Sequence, residues 1–181
     1  CSIIENFSLQ GTVSPYEAAL FDMAEKYLLA AIEQEKSAGK QPLLSEKEIM
    51  NGVTAVMALM QLTRDFVRGE AVRKNLAFSK ENASIIELLN DPAFEPVLRE
   101  QGKGKISYGA ATAYDQLFRT RERNKIEKLL EYIYYLDVYI SVAAVARERK
   151  FVFPKALDKE LNRLSLEGVY HPELSKPVGN D

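Results

Sequence analysis

Three observations predict an all-α fold: a helical bundle with one very long helix over about 107–150 and a short strand near the C-terminus. First, apolar residues recur three and four apart in several stretches. They run Leu20, Met23, Ala24, Tyr27, Leu28 and Ala31, then Ile49, Val53, Val56, Met57 and Met60, then Ile126, Leu129, Ile133, Leu136, Ile140 and Ala143. Second, the stretch 107–150 holds no proline and only Gly109, near its start. As a single helix it would span ~66 Å at 1.5 Å per residue, longer than a small domain is wide. Third, Leu164-Ser165-Leu166-Glu167-Gly168-Val169-Tyr170 alternates apolar and polar residues until Gly168 and is the only convincing strand signal. One strand cannot make a sheet, so its partners are expected outside these 181 residues.

The chain is large enough to bury a real core. Its 46% hydrophobic and 28% charged residues are ordinary for a soluble globular protein. A net charge of −2 exerts no global pull on nucleic acid or anionic membrane, so any such contact needs a local patch. One cysteine excludes an internal disulfide, and one cysteine with one histidine argues against a zinc site. No run of 18 or more residues is purely apolar, and the N-terminus shows no secretory signal, which together predict a cytoplasmic protein that does not cross a membrane. Cys1 in place of methionine fits a lipid-modified mature terminus. An excised piece of a longer protein accounts for both ends of the chain and is the preferred expectation.

Residues 1–13, with the short apolar stretch Ile3-Ile4 and Gly11, read as an entry segment. Ser14-Pro15-Tyr16-Glu17 is a helix start, with serine as cap, proline at the first position and Glu17 able to reach back, and the helix should end near Gly39. A second start, Ser45-Glu46-Lys47-Glu48, opens a helix closed by Gly69; the short connection makes an antiparallel hairpin. Its methionines read as pliable core filler, with a ligand pocket as the alternative. Shorter helical signals follow at 71–76, at 85–89 with Asn82 or Ser84 as cap, and at 93–100. Gln101-Gly102-Lys103-Gly104-Lys105 is a turn, because its glycines fit neither phosphate-binding fingerprint. Within 107–150, the stretch 119–125 is polar on every face and should be an exposed shaft. Beyond Leu129 the helix is apolar almost all round and should be enclosed by other helices. Asp137 lies in that apolar stretch and needs a partner there, an arginine or a helix end, because a lone buried carboxylate costs several kcal/mol.

No catalytic constellation is visible. His171 has no serine or cysteine in a nucleophile setting, and the acidic residues lie beside lysines and arginines, as on solvated helix faces. The one basic concentration is Arg119, Arg121, Arg123, Lys125 and Lys128, diluted by Glu122 and Glu127. Arg119, Arg121, Arg123 and Lys125 are the candidate DNA-backbone contacts; the competing reading is a solvated face laced with ion pairs.

Four elements in the last quarter of the chain carry a more specific signal. They are Leu136-Asp137 followed by the alanine-rich Ser141 to Arg147, then Phe151-Val152-Phe153-Pro154, then Leu166-Glu167-Gly168-Val169-Tyr170-His171-Pro172, and finally Asn180-Asp181. In order and spacing they resemble the end of the core and lever domain (domain III) of MutS-type DNA mismatch-repair ATPases, where a lever helix returns to the core and the chain enters the ATPase domain. The resemblance implies a helical core and lever domain over 1–160 and the start of an ATPase domain over 161–181, the strand being that domain's first. It implies a structural role, coupling ATP binding in the absent domain to DNA or partner engagement. ATP and magnesium would belong to the full-length parent, which would be an ATPase, and no cofactor to this segment. DNA would be bound through the full-length protein, which would form a homodimer through its ATPase domain. The segment itself would not be an enzyme, since the Walker A loop is not among these residues. The mismatch-reading Phe-x-Glu motif is also not among them, and 70–106 is short for the family's clamp insertion. Pro177-Val178-Gly179 stands where many members place an adenine-stacking aromatic residue. The alternative is a helical bundle that binds a small molecule or a protein partner.

Overall fold

The computed structural model describes residues 2–36, 44–100, 106–158, 164–167 and 169. Those residues form eight α-helices: α1 (Ser2–Gln10), α2 (Ala18–Lys36), α3 (Glu46–Val67), α4 (Glu70–Lys74), α5 (Ser79–Leu89), α6 (Glu95–Glu100), α7 (Tyr108–Gln116) and α8 (Arg123–Glu148). Short 3₁₀ turns at Leu76–Phe78 and Pro92–Phe94 lead into α5 and α6.

The expected hairpin is α2 against α3. Tyr16 bonds to Thr63 at 2.9 Å while Tyr27 lies against Gly52, so the two helices run in opposite directions. The start of α3 is a complete capping box: the Ser45 hydroxyl accepts from the Glu48 N–H, and the Glu48 carboxylate accepts from the Ser45 N–H. The start of α2 differs from expectation. Glu17, not Ser14, supplies the first helical carbonyl, accepting from Leu20 and Phe21, so the helix opens three residues after Pro15. Ser14 instead turns its hydroxyl to Asp137, 2.8 Å away.

The middle of the bundle is α3, which packs against α2, α5, α6, α7 and α8. Val53, Val56, Leu59 and Met60 are buried there, so the methionines at 57 and 60 are core. Within the entry segment, residues 2–10 are helical, and Phe7 is fully buried. Phe7 meets Phe78 edge-on at 5.8 Å, and Phe78 stacks on Tyr132 at 5.6 Å, which joins α1, the turn before α5, and α8 in one aromatic cluster. Helix α5 starts at Ser79, earlier than expected, so Asn82 lies inside it and is buried, not a cap. Ahead of α6, Asp91 caps the 3₁₀ turn by accepting from the Ala93 N–H at 2.9 Å.

The expected single helix over 107–150 is broken. Ser107 caps α7 as anticipated. The chain then makes a π-helical turn, Leu117–Arg121, closed by the Glu122 N–H donating to the Leu117 carbonyl at 2.8 Å. Glu122 leaves helical geometry (φ −119, ψ 23) before α8 begins. The reason is rotational. At about 100° per residue, an unbroken helix would put Lys125 within about 20° of Phe118. Phe118 is fully buried, so Lys125 would be driven into the core. The break re-phases the two halves and lets Lys125 turn outward.

The far end of α8 closes in a Schellman turn. Phe151 N–H donates to Ala146 at 2.8 Å and Lys150 N–H to Arg147 at 3.3 Å, with Lys150 left-handed at φ 56. Beyond it, residues 151–158 and 164–167 have no regular structure, and Val169 alone is marked by a bridge. The expected strand is therefore not formed over 164–167; its pattern suits a sheet edge, but a strand needs a neighbour's hydrogen bonds. The glycine-rich turn at 101–105 and the motif residues His171, Pro172, Asn180 and Asp181 lie outside the described residues.

Candidate functional site

The basic stretch is assembled by the π-turn and the first turn of α8, and most of its charge is spent internally. Arg119 forms a two-point pair with Asp115, Nε to Oδ1 at 2.6 Å and a terminal nitrogen to Oδ2 at 2.7 Å, and its guanidinium lies 5.1 Å from the centre of the Tyr27 ring. Tyr27 donates to the same carboxylate at 2.5 Å. Burial of Arg119 opposes its charge, and the Asp115 carboxylate more than restores it, so its pKa rises above the usual value. Burial, then the bond to Asp115, pushes the Tyr27 phenol upward as well. Arg123 pairs with Glu127 at 3.0 Å. Lys125 bridges Asp91 at 2.7 Å and Glu122 at 2.6 Å. Of the four candidate DNA contacts only Arg121 makes no ion pair among the described residues. Thus Arg119 ties α7 to α2 and Lys125 ties α8 to the turn before α6, while the Arg123 pair lies within α8. The shaft expected to stand free is held against the bundle.

The other end of α8 overturns the expectation of an enclosed helix. Ile126, Leu129, Ile133, Leu136, Ile140 and Ala143 are buried, as their spacing predicts. The opposite side is open: Tyr134 is 57% exposed, Tyr135 49%, Val138 39%, Val142 46% and Val145 44%. These side chains make a continuous apolar stripe on one flank of α8.

Asp137 lies at the edge of that stripe and is exposed, so it carries no burial penalty; the Ser14 hydroxyl is its partner, not the arginine or helix end expected. Beside it, between the first turn of α2 and α8, is a pocket of about 220 Å³. Phe21, Ile133 and Val138 supply apolar walls, Tyr16 and Tyr134 aromatic ones, and Glu17, Asp22 and Asp137 line the rest. Burial pushes the Tyr16 phenol well above its usual range, which keeps it protonated while it bonds to Thr63. Two features could not be read from spacing alone. The pocket joins residues more than a hundred positions apart, and the Tyr27–Asp115–Arg119 group joins two helices through an unremarkable aspartate.

Two further facts bear on class. Among the described residues, no group of three or more histidine, cysteine, aspartate or glutamate side chains is placed to hold a metal ion. By length and composition α8 is apolar enough to cross a membrane, though the core helix of a soluble protein meets the same description, and one side of α8 packs into the bundle core. Compared with known proteins, the chain matches no protein family, no curated protein and no solved structure.

Proposed function

We propose that this chain is the helical core and lever segment of a MutS-type DNA-repair ATPase, a mechanical element between a nucleotide-binding domain and the parts that engage DNA. The observation that carries the reading is the ordered series from Leu136-Asp137 through Phe151-Val152-Phe153-Pro154 and His171-Pro172 to Asn180-Asp181. The packing is compatible with it. Leu136 is fully buried, Asp137 is tied to the start of α2 by Ser14, and α8 closes in a Schellman turn at Lys150. Coupling of the proposed kind needs a stiff element that both sites bias. The clips at Arg119 and Lys125 stiffen the junction of α7 and α8.

In this reading the segment works in the cytoplasm, away from membranes. ATP and magnesium bind elsewhere in the full-length protein, which dimerises through its ATPase domain. With Arg119, Arg123 and Lys125 neutralised internally, DNA-backbone contact by the basic stretch 119–128 falls to Arg121 and the exposed Lys128, too few for tight binding by counterion release alone. The test is the gene that encodes the chain. A Walker A loop shortly downstream of Asp181, and ATPase activity of the full-length product that this segment lacks, are expected. A stop codon directly after Asp181, or ATP turnover by the 181-residue chain lost on mutating one of its own side chains, would overturn the reading.

A protein-interaction module is the second reading. It is favoured by the open stripe of Tyr134, Tyr135, Val138, Val142 and Val145. A small-molecule site in the methionine-rich interior has less support, since Met57 and Met60 are packed core.

A further inference from the structure

We propose that the pocket between α2 and α8 receives a positively charged side chain from a helical protein segment whose apolar face lies along Val138, Val142 and Val145. Glu17, Asp22 and Asp137 line a pocket to which no lysine or arginine among the described residues contributes. Among the described residues Glu17 and Asp22 form no ion pair, and Asp137 has only the neutral Ser14 hydroxyl. Negative charge therefore faces the space uncompensated. The carboxylates are not gathered as metal ligands would be. They stand around apolar and aromatic walls, an arrangement suited to an organic cation, whose alkyl stem needs apolar contact while its head needs anions. Tyr134 lines the same pocket, and an aromatic ring attracts an organic cation. At about 220 Å³ the space is below the usual range for a cofactor or drug-sized ligand and suits one long side chain.

The pocket is continuous with the open stripe, because Tyr134 and Val138 belong to both. From Tyr134 to Val145 the stripe rises ~16 Å along α8, about three turns of a facing helix. The exposed residues at 134, 138, 142 and 145 form one ridge. A partner with a basic residue one turn before a short apolar face would fill pocket and ridge together. A lipid surface fits less well, since the anionic pocket would face anionic headgroups.

Two matched helical peptides test this against the 181-residue chain. Both carry leucines at i, i+4 and i+7; one has arginine a turn ahead of the first leucine, the other glutamate. The arginine peptide should bind about tenfold more tightly or better, the sum of several partly exposed charge contacts. It should shift the amide resonances of Asp22, Tyr134, Asp137 and Val138. A variant combining Asp22→Asn with Asp137→Asn should lose that preference while keeping its unfolding midpoint, because both side chains are exposed. Equal affinity for the two peptides, shifts that miss the pocket, or no binding of the arginine peptide would overturn the proposal. So would a dimer dispersed by Val142→Lys, which would assign the stripe to a second copy, or preferential binding to phosphatidylserine vesicles.

Discussion

At position 52 the ring of Tyr27 leaves no room for a side chain. A Cβ there would lie 2.2 Å from Cγ and 2.5 Å from Cβ of Tyr27. These atoms are near the tyrosine backbone and cannot swing aside, so α2 and α3 would have to part. Glycine within a helix costs ~1 kcal/mol relative to alanine, which ordinarily favours replacing it. Here the clash should win: Gly52→Ala is expected to destabilise the protein by about 1–3 kcal/mol, read as a lower denaturant midpoint. A raised midpoint would mean that the helices separate freely. The spacing of Ile49, Val53, Val56 and Met60 marks the buried face of α3, but nothing in it says that an aromatic ring covers Gly52. The same ring determines what Arg119 does. As one of four basic residues it is a candidate phosphate contact; with Tyr27 and Asp115 in place it is a clasp.

Among the elements, the break between α7 and α8 depends on charge pairs as much as on backbone geometry. The bond from Lys125 holds the Asp91 carboxyl below its usual value, helped by the Ala93 N–H. Bonds to Asp91 and then Glu122 hold Lys125 above its own. The signs follow. The Asp91 contribution is present above its unfolded pKa near 3.8 and is lost as pH falls through the lower folded value. The Lys125 contribution is present below 10.5 and is lost as pH rises through the higher folded value. The stability difference between the native chain and Lys125→Met should therefore be flat from about pH 4 to about pH 10 and shrink on either side, measured by urea unfolding across pH. A difference that ignores pH would show that Lys125 acts through its alkyl stem. Local pattern could not reveal the break: beyond Gly109 the stretch 107–150 contains no helix breaker, and the conflict arises only because Phe118 is buried in the core, where an unbroken helix would carry Lys125 as well.

Over the whole molecule, α8 has two unlike flanks, and stability should follow that division. Val142→Lys is expected to change the unfolding free energy by less than about 0.5 kcal/mol, because the side chain is 46% exposed. Replacing fully buried Leu136 by alanine should lose about 2–5 kcal/mol. Comparable losses in calorimetry would mean that the stripe is covered within this chain. Much of this architecture is legible in the residues themselves: the helical class, the capping box at Ser45, the hairpin of α2 and α3, and the buried row from Ile126 to Ala143. Each is a local matter of periodicity and end chemistry, and an i, i+3, i+4 pattern carries its own evidence. Helix α1 escaped because nine residues with one strong anchor, Phe7, give too short a period to detect. Sequence also determined the run of motifs after Leu136 on which the family reading rests. Tertiary structure alone decided that the long segment breaks, that its cations are spent on neighbours, and that one flank of α8 stays open beside three carboxylates. Those outcomes depend on which distant side chains meet, and the sequence spacing within one helix does not contain that information.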